Sequence, residues 1–174
     1  MDFCLNILTL RIMFLIIGWH PATGKTTLTE KLKELYPDHT IFHTDDYMVH
    51  GYKESVYKLI DDIQFHFSGW DRNIIVEWIM GSRLMRKLQE IAFDEYVDLY
   101  VYLRAHSDFI KETYMRERPG KNFKDIEATM KGLDTVHDSI KHGSPEKPGT
   151  SILVIHIGDY WDYLLLALRD HLPK

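Results

Sequence analysis

Gly24-Lys25-Thr26-Thr27, preceded by Pro21-Ala22-Thr23 and by an apolar run ending in Ile16-Ile17-Gly18, is the part of this 174-residue chain best suited to hold a polyphosphate. A bend of this kind between a strand and a helix aims consecutive backbone N–H groups at phosphate oxygens. Its lysine reaches the terminal phosphates, and the hydroxyl after the lysine goes to magnesium. Lys25 and Thr26 hold those two positions, and Pro21, Ala22, Thr23, Gly24 and Thr27 complete the cradle. Counted back from Gly24, the spacing GxxxxGK[ST] puts Trp19, and not Gly18, at the first glycine. Keeping Pro21 to Thr26 in step with the lysine favours Trp19 there over a turn at Gly18 with one extra loop residue.

Thr44-Asp45-Asp46-Tyr47 is the second group of chemical interest, following the short apolar segment Thr40 to His43. Ligands of parallel sheets bind outside the carboxyl ends of the strands. If Thr40 to Thr44 neighbours the first strand, Asp45 and Asp46 emerge at the edge that carries the phosphate loop. One carboxylate there accepts the proton of an attacking hydroxyl, and the other holds magnesium or orients its waters. An acidic turn capping the next helix is the other use of such residues. Glu77 ends the run Ile74-Ile75-Val76, where an acid suits a water-mediated metal contact, with a solvated glutamate in a strand-to-helix loop as the alternative. Trp78 and Met80 beside it either wall an acceptor pocket or pack in the core. Tyr47, Tyr52 and Lys53 are within the stretch that would meet an acceptor, although aromatic residues at helical spacing are more often core.

These residues need a scaffold, and the chain alternates β-rich apolar runs with helical patterns throughout, the layout of a mostly parallel sheet covered by helices. The pattern predicts strands at Arg11 to Ile17, Thr40 to Thr44, Asn73 to Ile79, Asp98 to Leu103 and Ser151 to Ile157. Helices are predicted at 25–36, 53–68, 81–91, 106–117, 122–142 and 159–171, with Leu28, Leu32 and Leu35 on one face of the first. Turn chemistry makes Lys141 to Gly149 a loop. The expectation is therefore an α/β, three-layer P-loop NTPase fold with a five-stranded, mostly parallel sheet. It forms one domain over 1–174, with 1–12 as an N-terminal extension ahead of Met13 and a lid near 111–125. Three cations fall in the six residues from Arg116 to Lys121, at a helix end followed by Pro119-Gly120, so the stretch reads either as a lid or as a solvated helix end.

The phosphate loop followed by Asp-Asp-Tyr after the second strand resembles the P-loop kinases grouped around polynucleotide 5′-hydroxyl kinase, zeta-toxin-like kinases and nucleoside or nucleotide kinases. Trp19 and Ala22 depart from the glycines such loops usually show. The resemblance implies that Asp45 is the catalytic base, that Lys25 and Thr26 serve ATP and Mg²⁺ with Asp46 or Glu77 assisting at the metal, and that Arg116 or Arg118 closes over the transferring phosphoryl group. It implies a nucleoside, nucleotide or nucleic-acid acceptor, through a 5′-hydroxyl or a modified base. A nucleotide-binding regulatory ATPase or switch, or a kinase of a non-nucleotide small molecule, is the alternative. Neither a guanine-reading Asn-Lys-x-Asp nor the length of a motor with a separate helical lid domain is present.

Composition narrows the partners. A net charge of −5 lacks the basic footprint needed to wrap duplex nucleic acid, so the acceptor is expected to be a small molecule or a single strand. Asp2, Asn6 and Arg11 interrupt the apolar N-terminus, which reads as neither a signal peptide nor a membrane span. Cys4 is the lone cysteine, so no internal disulfide forms, and a cytoplasmic location is expected. The pairs His39 with His43 and His137 with His142 lack zinc-site spacing, and no GxSxG elbow points to a serine nucleophile.

Overall fold

Strands buried on both faces need apolar residues at successive positions rather than at alternate ones. Ile74-Ile75-Val76 and Leu99 to Leu103 have that composition, and every position of Ile74–Trp78 and the first five of Leu99–Arg104 are buried. The structure, a computed structural model, describes residues 14–20, 25–70, 72–79, 81–109, 111–112, 115–117, 119–120, 122–140 and 151–156. Its strands are β1 (Phe14–Trp19), β2 (Thr40–His43), β3 (Ile74–Trp78), β4 (Leu99–Arg104) and β5 (Ser151–His156). They form one sheet in the order β2-β3-β1-β4-β5, with every neighbouring pair parallel. The helices are α1 (Lys25–Leu35), α2 (Thr44–Tyr47), α3 (Tyr52–Ser68), α4 (Gly81–Glu90), α5 (Ser107–Phe109), α6 (Met115–Glu117) and α7 (Phe123–Asp138).

The strand order dictates the layers. The crossover from β1 to β2 runs one way along the sheet, and the three later crossovers run the other way. Right-handed connections then put α1 on one face and α3, α4 and α7 on the opposite face. The packing agrees. Phe14, Ile16, Val76, Trp78, Tyr100 and Tyr102 point to one side and share a cluster with Leu59 and Ile63 of α3, Leu84, Met85 and Leu88 of α4, and Leu133 of α7. Alternate residues, among them Leu15, Ile17, Ile75, Glu77 and Val101, point to the other face and are buried as well. Leu84, Met85 and Leu88 form a helical stripe while Arg83 and Arg86 are exposed, so α4 has one apolar face to bury.

Gly18 and Gly81 let α4 come down directly on β1. A Cβ on Gly81 would lie 2.4 Å from the Cα of Gly18, and a Cβ on Gly18 would lie 2.8 Å from the Tyr100 hydroxyl. Gly18 therefore serves packing between helix and sheet, not a turn. Strand β1 runs two residues past the expected Ile17, because Gly18 and Trp19 still pair with Tyr102 and Leu103.

Other boundaries differ for local reasons. Thr44 leaves the expected strand and opens α2. The described residues of the expected helix 106–117 include the single turns α5 and α6. Helix α7 stops at Asp138, short of 142, where the amides of Ser139 and Ile140 turn back to the carbonyls of Val136 and His137. Strand β2 does not neighbour β1: β3 lies between them and pairs with both. Residues 1–12, the loop 141–149 and the expected helix 159–171 lie outside the described residues. Among the described residues, no helix is long and apolar enough to cross a membrane.

Candidate functional site

All strands run the same way, so the ends of β1, β2, β3 and β4 share one edge of the sheet. At the end of β1, Trp19 completes the pairing with Leu103, His20 follows, and α1 begins at Lys25. Lys25, Thr26 and Thr27 thus form the first turn of an eleven-residue helix, where backbone N–H groups have no partner within the helix and the dipole favours an anion. Pro21, Ala22, Thr23 and Gly24 lie outside the described residues.

His20 is 1% exposed and is fixed from three directions. Its backbone N–H donates to the Leu103 carbonyl at 2.9 Å. Its ring Nδ1 accepts the Ala105 backbone N–H at 3.2 Å, so the ring proton sits on Nε2, 2.8 Å from Oδ1 of Asp134. The Tyr102 hydroxyl donates to the same carboxylate oxygen at 2.9 Å, and Arg104 donates to the other at 3.0 Å. Burial holds His20 below the usual imidazole range, outweighing the attraction of Asp134. Burial likewise pushes the Tyr102 phenol up, so it stays a hydrogen-bond donor. His137 stacks on Tyr102, with ring centroids 4.1 Å apart and planes 11° from parallel, which gives that histidine a packing role.

The end of β2 is fastened to the end of β3 by Thr44, whose hydroxyl donates to the Glu77 carbonyl at 3.0 Å and accepts the Ile79 N–H at 2.9 Å. Asp45 and Asp46 follow in α2 and are exposed. Parallel strands lie about 4.8 Å apart, so two strand spacings, on the order of 10 Å, separate β2 from β1. Glu77 stands between, in register with Ile17 of β1 and His43 of β2. It is 1% exposed, unlike a solvated loop glutamate, and its Oε2 lies 3.3 Å from Nδ1 of His43.

Several residues considered for the acceptor belong to the core instead. Trp78 is fully buried and meets Tyr47 edge-to-face at 5.7 Å. Tyr47 is buried, and its hydroxyl donates to Asp62 at 2.7 Å, with burial raising the phenol's pKa. Lys53 is exposed on α3, and Met80 is outside the described residues. Gly51, at φ 79°, makes the left-handed bend between the turn at Met48–His50 and α3.

In the expected lid, Met115, Phe109 and Phe123 pack on Ala105, Ile126 and Met130, and Lys111 stands 4.7 Å from the centre of the Phe123 ring. Arg116 is exposed on α6, and Arg118 lies outside the described residues. Among the described residues, no three His, Cys, Asp or Glu side chains gather in a metal-binding group. Sequence reading missed His20, Arg104 and Asp134. A histidine directly after the strand is a local signal, but its carboxylate partner is 114 residues away.

No protein-family model and no curated protein matches this chain. Solved structures do resemble it. The YorR protein of Bacillus subtilis, in complex with phosphorylated GDP, superposes with a TM-score of 0.58 at 17% identity, covering 92% of this chain and 99% of that one. An unliganded sugar kinase from Janibacter sp. HTCC2649 gives 0.55 at 17% identity, covering 92% and 96%. TT1252 from Thermus thermophilus gives 0.52 at 12% identity, covering 93% and 98%. The protein has an α/β fold with three layers around a five-stranded parallel sheet, as expected from the sequence, and these structures superpose on it over more than nine-tenths of its length.

Proposed function

We propose that this protein is a P-loop kinase that moves the γ-phosphoryl group of ATP, with Mg²⁺, onto a hydroxyl or phosphate of a nucleoside, nucleotide or single-stranded nucleic acid. One observation carries the reading. The strand order β2-β3-β1, all parallel, brings the start of α1 at Lys25, the buried Glu77 and the exposed Asp45 and Asp46 to one edge, with about two strand spacings between the loop strand and the aspartates. The neighbours with this fold include one solved with a phosphorylated nucleotide and one that is a sugar kinase.

Each residue's task follows from its chemistry. Backbone amides of residues 21–27 and the Lys25 ammonium cradle the β- and γ-phosphates, as oriented N–H groups and a mobile cation do. Asp45, exposed at the acceptor side, takes the proton of the attacking hydroxyl. Arg116 or Arg118, carried by the segment between β4 and α7, offsets charge on the phosphoryl oxygens and excludes water. A hydroxyl and one or two carboxylates suit Mg²⁺, so Thr26 with Asp46 or Glu77 would hold the ion beside the phosphates. When bound, the ion neutralises phosphate charge. The absence of a broad positive footprint favours a small or single-stranded acceptor.

The test is phosphoryl transfer from γ-labelled ATP to a panel of nucleosides, nucleotides, 5′-hydroxyl oligonucleotides and sugars. Label on a nucleoside-based acceptor is the expected result. Label on a sugar alone would keep the kinase and change its acceptor. Hydrolysis that needs a protein partner, with no acceptor labelled, would replace the kinase with a nucleotide-dependent switch.

A further inference from the structure

We infer that His20 and Asp134 form a clasp that sets the entry of the phosphate loop, which makes His20 a positioning residue for nucleotide binding; the inference rests on the nucleotide-binding reading above. A glycine at the first loop position gives the chain freedom to turn sharply beside phosphate. Here that position is Trp19, which remains in β1 paired with Leu103, so a glycine's freedom is missing at the exit of the strand. The side chain of His20 supplies the missing constraint. Its main-chain N–H is tied to Leu103, its Nδ1 to the amide of Ala105 and its Nε2 to Asp134, at 2.9, 3.2 and 2.8 Å.

Asp134 does not depend on His20 for its own orientation, because Tyr102 and Arg104 hold both of its oxygens. The carboxylate is thus a fixed post on α7, and the imidazole bridges that post to the exit of β4, four residues before Gly24. The ring also meets Tyr102 edge-on, with centroids 5.4 Å apart and planes at 88°, which leaves it one orientation. Asparagine in its place is too short to reach both Ala105 and Asp134. The loop entry would then sample other arrangements, and apparent affinity falls in proportion to the binding-competent fraction.

The experiment is calorimetric titration of the full chain with ADP and Mg²⁺, for wild type, His20→Asn, Asp134→Asn and the double variant. Ser82→Ala serves as a control that removes a different buried contact, the one between Ser82 and the Tyr100 hydroxyl. Each single variant is expected to bind ADP about tenfold more weakly, the scale of one hydrogen bond to a charged group. The double variant should lose clearly less than the two single losses added together, because both remove the same His20–Asp134 contact. If His20→Asn does not fold, Asp134→Asn, whose side chain is partly exposed and keeps its shape, carries the comparison alone. Unchanged affinity in both folded variants overturns the clasp, and so does an equal loss in Ser82→Ala, which would mark a general effect of destabilisation. Failure of wild type to bind ADP removes the nucleotide reading itself and the clasp with it, an outcome visible before any variant is made.

Discussion

Replacing Gly81 by alanine tests the contact that seats α4 on the strand leading to the loop. The added Cβ would sit 2.4 Å from the Cα and 2.9 Å from the N of Gly18, both backbone atoms, and 3.3 Å from the Tyr100 ring. Carbon atoms in good contact are about 3.5–4.0 Å apart, so helix and strand must separate by on the order of 1 Å. No side-chain rotation relieves the clash. Overpacking of this kind costs about 1–3 kcal/mol, and Gly81, as the first residue of α4, gains little of alanine's preference for a helix interior. A net loss of about 1–2 kcal/mol corresponds to a Tm lower by roughly 2–8 °C for a chain of this size. Gly132, in α7, is the matched control, because a Cβ there meets nothing within 4 Å. Gly132→Ala gains the helix preference without a clash and should raise Tm by roughly 1–4 °C. Thermal unfolding followed by circular dichroism reads both. A Gly81→Ala protein melting at or above wild type would refute the close helix-on-strand seat.

Four further outcomes follow from the roles assigned above. Lys25→Ala should abolish phosphoryl transfer and weaken ATP binding, read by label transfer and by titration. Asp45→Asn should lower turnover by about 10²-fold or more while ADP still binds, the scale of a lost general base; unchanged turnover would remove Asp45 from the mechanism. Arg116→Ala and Arg118→Ala should differ sharply in kcat, the larger loss marking the cation that reaches the phosphoryl group. For His20, burial depresses the folded-state pKa below the unfolded value near 6.5, so the unfolded chain binds the proton first and stability falls as pH drops from about 6.5 toward the folded value. Denaturant midpoints across pH 7.5 to 5 should decline more steeply in wild type than in His20→Asn, and parallel curves would reject that assignment.

The fold was legible because buried parallel strands write themselves as unbroken apolar runs. Ile74-Ile75-Val76 and the run from Leu99 to Leu103 needed no knowledge of their partners to be read. Strand order was not legible. Periodicity records which faces are buried, not which strand lies beside which, so the insertion of β3 between β1 and β2 had no local signature. The same limit applies at the site. Asp45 and Asp46 announce themselves as adjacent acids after a strand, and they emerge exposed at the shared edge. Trp78 looks from sequence as fit to stack a base as to fill the core. It fills the core because the pleat sends it to the side covered by α3 and α4.

Gly18 and His20 do different work at the end of β1. The glycine nearest the loop is consumed by contact with α4, where any side chain would strike Gly81 and Tyr100, and it is unavailable for a turn. The loop entry is secured by an imidazole that two distant segments, the exit of β4 and the middle of α7, hold in place. A glycine makes a turn possible but does not choose it, whereas a buried ring with both nitrogens engaged permits one arrangement. The chain thereby shifts control of its loop from local backbone freedom to tertiary packing. The clasp at His20 depends on β4 and α7 being in place. Variants that loosen α7 far from the nucleotide, and that spare every residue of the loop, should therefore weaken ADP binding.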